Sequence, residues 1–188
     1  MSETIEQQSP ATGFSTSENK SMYINNQVGK IASLMNQNGA LSNGDLAALR
    51  RTSPDNPFTP TLWRILLSLD LNESPPWISQ ELWERRWATL LMVMAHNVGL
   101  HTYSVPFGES LALAGWSELR FVQLMKSRGE NLEKHLRRTA RFLASKNQAA
   151  NWSDAARLLF SQSGEIGNNI RLSISRSYYS ALYRIENK

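Results

Sequence analysis

The chain has 188 residues, a net charge of +4 and no cysteine. That length suits one domain with a real core. It has no disulfides or cysteine-held metals, and no apolar run reaches the roughly 18 residues of a spanning helix. The charge is uneven: residues 1–40 carry two basic and three acidic side chains, whereas Arg120 to Lys146 holds eight basic ones against Glu130 and Glu133 alone.

In chain order, residues 1–21 are mostly Ser, Thr, Gln and Glu. Such a segment cannot bury enough apolar surface to offset ordering, so a disordered polar tail is expected, followed by one helical domain over 22–188. The tail also lacks the basic start and apolar middle of a signal peptide, which makes the cytoplasm the expected compartment. Ile24, Val28, Ile31 and Met35 then mark one face of a first helix. "SNGDLAALRR" opens on a cap-like Ser42 or Asn43 and stops before Pro54. "TPTLWRILLSL" has Thr59 as cap and Pro60 at the first helical position, where its missing N–H costs nothing.

"SPPWIS" is a break, and "SQELWERRWATLLMVMAHNV" is long and increasingly apolar, which predicts a central helix. Trp83 and Trp87, four apart beside that run, read as core, and Trp63 by the same logic, with base stacking as the functional alternative. "PFGESLALAG" predicts a short helix between Gly108 and Gly115, and Ser117 caps "SELRFVQLMKS". Three more helices are expected at about 130–145, 153–163 and 168–185, entered through Asn, Ser or Gly. No segment alternates as a strand would. The predicted fold class is all-α, a single compact multi-helix bundle with a disordered N-terminal tail.

The search for chemistry finds no Gly-rich phosphate loop and no Ser within a nucleophile motif. His96 and His101, five apart, point to different sides of a helix, and with His135 they form no metal-ligand pair. They read as hydrogen-bonded structural groups. No metal, cofactor or catalytic residue is assigned. Glu81 and Glu84 share a helix face, and Arg85 and Arg86 beside them suggest a solvated ion-pair face rather than an acid/base pair.

In "LEKHLRRTARFLASK", Leu132, Leu136, Thr139, Ala140 and Leu143 form an apolar stripe, with Lys134, Arg137, Arg138 and Arg141 opposite. Two readings stay open on pattern alone: a solvated face, or forks for a nucleic-acid backbone. "LRR" occurs twice, at Leu49 and at Leu136. Arg120 sits on a helix expected to be mostly buried, through Phe121, Val122 and Met125 with Leu119 and Leu124 on its flanks. Its charge serves either a salt bridge to Glu118 or Glu84, or an outward task.

The order of "GDLAALRR", "PTLWRILL", "FGESLALAGWSELRFVQLMKS", "LEKHLRRTARFLAS" and "NWSDAARLLF" resembles the small subunit of the type I-E CRISPR surveillance complex, Cascade: the CasB family. The resemblance runs from about Gly44 to Tyr179. Single motifs are degenerate; their order and spacing together are specific. It implies an all-helical, non-enzymatic subunit whose partners are other Cascade subunits, guide RNA, target DNA and a second copy of itself, with no membrane. It implies a basic face that steadies the target and displaced strands as the R-loop forms, while the guide RNA reads sequence.

Residue by residue, Arg50 and Arg51 match the family's first "LRR", Arg120 the Arg of "SExR", and Lys126 a basic position about a turn later. Arg137 and Arg138 match the second "LRR", and Arg85 and Arg86 fall near another basic position. Arg128 and Arg141, in the same basic stretch, complete the expected nucleic-acid-binding set. The polar tail and "SRSYYSALYRIENK" depart from the family's pattern. The rival reading is a helical interaction protein whose basic face docks acidic protein surfaces.

Overall fold

The computed structural model describes residues 17–36, 39–52, 56 and 58–187, and nine helices among them. Residues 1–16, most of the expected tail, lie outside the described residues. Helix α1 (Ser17–Met35) starts before the expected boundary at residue 22. The Lys20 ammonium lies 5.0 Å from the centre of the Trp77 ring, so the polar start of the helix has a surface to pack on. Ile24, Val28, Ile31 and Met35 are buried, as their spacing predicts.

Ser42 caps α2 (Asn43–Arg50) in a reciprocal box: its hydroxyl accepts from Asp45 N at 3.1 Å, and Asp45 accepts from Ser42 N at 3.1 Å. Thr59 caps α3 (Pro60–Ser68) by accepting from Leu62 N at 3.2 Å. Asp45 also accepts from Thr61 Oγ1 at 3.0 Å and from Arg64, so one carboxylate joins the two helices. These bonds, those from Ser42 foremost, lower its pKa to about 2. A depressed carboxylate contributes stability that is present above its unfolded pKa and is lost as pH falls through the folded value. Asp45→Asn should therefore lower the melting temperature at pH 6, and the gap from the wild type should close progressively between pH 4 and pH 2. A gap that stays constant over that range would show that the carboxylate's charge is not what matters.

Helix α4 (Gln80–His96) is the central helix, and every side chain from Trp87 to Ala95 is buried. It can be apolar all round because α1, α2, α7 and α8 cover it. Trp83 and Trp87 are fully buried, edge to face at 5.4 Å, with Phe160 against them at 5.3 and 4.9 Å. Trp63 is not core. It is 37% exposed and stacks on Phe58 at 5.7 Å, because α3 buries only the side that carries Thr61, Leu62, Ile65 and Leu66.

Gly108, expected at a helix boundary, is the second residue of α5 (Phe107–Leu113). It is the contact point with α9 (Gly164–Glu186): a Cβ there would stand 2.1 Å from Ile174 O. Gly115 does follow the helix end, at φ +78°. Ser117 occupies the N-cap position of α6 (Glu118–Lys126), but its hydroxyl makes no capping bond. The chain continues through α7 (Gly129–Ser145) and α8 (Trp152–Phe160). Arg128, rather than Asn, Ser or Gly, is the N-cap residue of α7. α9 begins earlier than expected, at Gly164. Among the described residues there is no strand; an isolated bridge pairs His101 with Ala150.

Candidate nucleic-acid interface

Helix α7 carries the face. Leu132, Leu136, Thr139, Ala140 and Leu143 are buried against the bundle, while Lys134, Arg138 and Arg141 point outward. The two acids of the basic stretch do not offset them. Arg85 of α4 takes both, with Nη2 2.9 Å from Glu130 and Nε 3.2 Å from Glu133. Burial raises the Glu133 pKa against the pull of Arg85, so that charge is spent inside the fold. Arg86 also turns inward and donates to Phe160 O at 3.1 Å. The pair is therefore an internal brace and not the solvated ion-pair face expected beside Glu81 and Glu84.

The C-terminal end of α2 meets the C-terminal halves of α4 and α7. Arg137 donates to Thr52 O at 2.6 Å, and Arg50 donates to Ala95 O at 2.6 Å. Both guanidinium groups are anchored by these bonds. Arg51 stands between Arg50 and Thr52, is exposed, and has no side-chain partner among the described residues. Arg50, Arg137 and Arg141 converge on His96, whose pKa is lowered first by burial and then by these three cations. His101 accepts from Trp152 N at 3.3 Å, a structural use of that ring.

Arg120 makes no salt bridge to Glu118 or Glu84. It is exposed and lies 5.5 Å over the Trp116 ring, which meets Phe142 of α7 at 4.8 Å. Lys146 covers Phe142 at 6.0 Å, so a cation–aromatic row joins α6 to the end of α7. α6 is less buried than its sequence suggested: Phe121 and Leu124 are inside, whereas Leu119 is 69% exposed.

Lys126 and Arg128 mark the other end of the face. Lys126 is exposed, and Arg128 folds over the end of α6, donating to the carbonyls of Met125, Lys126 and Ser127 at 3.1, 3.2 and 2.8 Å. Arg141 lies thirteen positions after Arg128, about 20 Å along α7 at 1.5 Å per residue. That covers the rise of about six nucleotides per duplex strand. All eight predicted positions thus lie on or beside α7, in two groups. Arg51, Arg120, Lys126, Arg138 and Arg141 present their charge, while Arg50, Arg128 and Arg137 are partly occupied by carbonyls.

One cation escaped the sequence reading. Arg171 of α9 is buried and donates to Met125 O, Gly167 O and Ser127 O at 2.9, 3.1 and 3.3 Å. Burial, then repulsion from Arg128, lowers its pKa to about 10, which still leaves it charged at neutral pH. The signal was present: Gly167, Arg171, Ile174, Tyr178 and Ala181 form one buried stripe, and an Arg in such a stripe must find carbonyls. Here it finds the C-terminal carbonyls of α6, where the helix dipole is negative.

The described residues form an all-helical bundle that exposes Lys134, Arg138 and Arg141 along α7. The sequence profile described as CRISPR-associated protein Cse2 matches residues 45–179, and the chain belongs to that family. Among solved structures it resembles CasB from Thermobifida fusca at 18% identity and TM-score 0.64, covering 84% of this chain and 96% of that one. M. ruber CasB is similar at 18% identity and TM-score 0.64, with 86% and 97% covered. A chain in the structure of E. coli Cascade bound to a PAM-containing double-stranded DNA target matches at 16% identity and TM-score 0.60, with 87% and 96% covered. A comparison with curated protein sequences finds no match. Among the described residues no helix is long and apolar enough to cross a membrane, and no three His, Asp or Glu side chains gather as a metal site.

Proposed function

We propose that this chain is a non-catalytic subunit of a type I-E Cascade complex in the cytoplasm, working with the other subunits, guide RNA, target DNA and a second copy of itself. Its face along α7, with Arg51, Arg120 and Lys126, holds the backbones of the target and displaced strands and so favours the R-loop. Base pairing to the guide RNA reads sequence, so the subunit needs only charge and shape. One observation carries the reading: Arg85 pairs with both acids of α7, Glu133 inside the fold and Glu130 at the surface, while Arg51, Arg138 and Arg141 stand outward without protein partners among the described residues. Family membership and the likeness to a chain of a DNA-bound Cascade support it. The test is reconstitution: a complex assembled with this subunit should retain matched DNA longer than one assembled without it, and equal retention would remove the proposal.

The same reading predicts that the isolated protein has no nuclease, ATPase or hydrolase activity. Metal-dependent DNA cleavage that persists through purification and vanishes with a point substitution would contradict it.

A further inference from the structure

A groove of about 420 Å³ runs between α1, the turn before α4, α8 and the start of α9, and its Gln162 accepts from Gly129 N at the start of α7 at 2.6 Å. A second hollow of about 270 Å³ shares Ser21, Arg157, Ile166 and Ile170 with it and continues along α9 past Asn169 and Ser173. The joint shape is elongated. Its floor is apolar, with Ile24, Phe160 and Ile170, and Leu82 and Ile166, each 45% exposed, also line it. Its polar lining has one sign: Lys20, Arg86 and Arg157 line it, and no Asp or Glu does.

Three lining residues hold buried N–H groups that find no acceptor: Trp77 Nε1, Arg86 Nε and Arg157 Nε. Arg86 already gives one N–H to Phe160 O and Arg157 one to Asp154, so each has donor capacity left. Buried donors without acceptors are costly, and burial, only partly offset by Glu133, depresses the Arg86 pKa. Those three N–H atoms have almost no accessible surface, so what a partner meets is the apolar floor and the accessible parts of Lys20, Arg86 and Arg157, a lining that carboxylates beside apolar side chains complement. A nucleic-acid backbone complements it less, because the floor is apolar and these guanidinium groups are already half committed.

We propose that this groove docks an acidic segment of a neighbouring protein, a short extended or helical stretch carrying Asp or Glu beside apolar side chains. The inference rests on the part of the proposed function in which the chain assembles with other proteins. It does not depend on what the basic face binds.

The test places the photo-cross-linker p-benzoylphenylalanine at position 82, replacing Leu82, with position 119 as the exposed control, in the assembled complex. Irradiation should join position 82 to an Asp- or Glu-containing segment of another protein. Lys20→Glu should cut that yield about fivefold or more, and changing the cross-linked acid to Lys should restore it. A cross-link to nucleic acid, to residues 1–16 of the same chain, or at no greater yield than position 119 would overturn the proposal. DNA retention by variants of Arg51, Arg138 and Arg141 reads the basic face separately, so either idea can fail alone.

Discussion

Replacing Arg51, Arg138 and Arg141 together by Ala should lower the affinity of the assembled complex for target DNA by roughly a hundredfold, at about 1 kcal/mol for each exposed charge-assisted contact. The loss should be alike for every target sequence, since phosphates carry no sequence information. All three side chains are exposed and bond to nothing among the described residues, so the fold should be unchanged. Ala is also the better helix former for Arg138 and Arg141. Arg50 and Arg137 are left out for a physical reason. Their removal would strip Ala95 O and Thr52 O of donors, costing about 1–3 kcal/mol of stability and confusing the readout. Equilibrium binding at fixed salt, with a melting curve for each variant, checks both halves. A tenfold or larger difference in loss between two matched targets would point to base contacts.

Gly108→Val should be the most damaging single substitution in the bundle. The added Cβ would stand 2.1 Å from Ile174 O and 2.9 Å from Tyr178 N, both backbone atoms of α9. Backbone cannot rotate away, so α5 and α9 must separate. The cost should be at least about 3 kcal/mol, at the upper end of overpacking penalties. Gly108→Ala should show the same effect in smaller measure, because a gain of about 1 kcal/mol in helix propensity cannot offset the clash. Separation would also disturb Tyr178, which stacks on Phe121 at 3.9 Å and donates to Trp116 O at 2.7 Å, beneath Arg120. Denaturant unfolding measures this directly; a loss under 1 kcal/mol for Gly108→Val would mean the two helices do not pack this closely.

The all-α class was legible because helical periodicity and caps are local. Ser42, Thr59 with Pro60, and the Leu132–Leu136–Leu143 stripe all behave as their spacing dictates. Trp63 misled because periodicity says which residues share a side, not whether another helix covers it. Gly108 does fall at the start of α5, as its sequence suggested, but its close approach to α9 is invisible in one dimension. At the candidate site, the outward positions of Arg138 and Arg141 followed from α7 alone. The inward use of Arg85, Arg86, Arg50 and Arg137 did not, because their partners lie between 45 and 85 residues away. Neighbouring arginines on α4 and on α7 thus have different fates that only the tertiary packing decides.

The central claim is that the α7 face meets phosphates, and the salt dependence of binding tests it most directly. Affinity of the assembled complex for target DNA should be measured against salt concentration, with the wild-type chain and with the Arg51, Arg138 and Arg141 triple variant. Each phosphate contact releases counterions worth about 0.7–0.9 in the log–log slope. The account predicts a slope shallower by about two or more for the variant. Two parallel lines, weaker binding with an unchanged slope, would contradict it and assign the basic face to a protein neighbour instead.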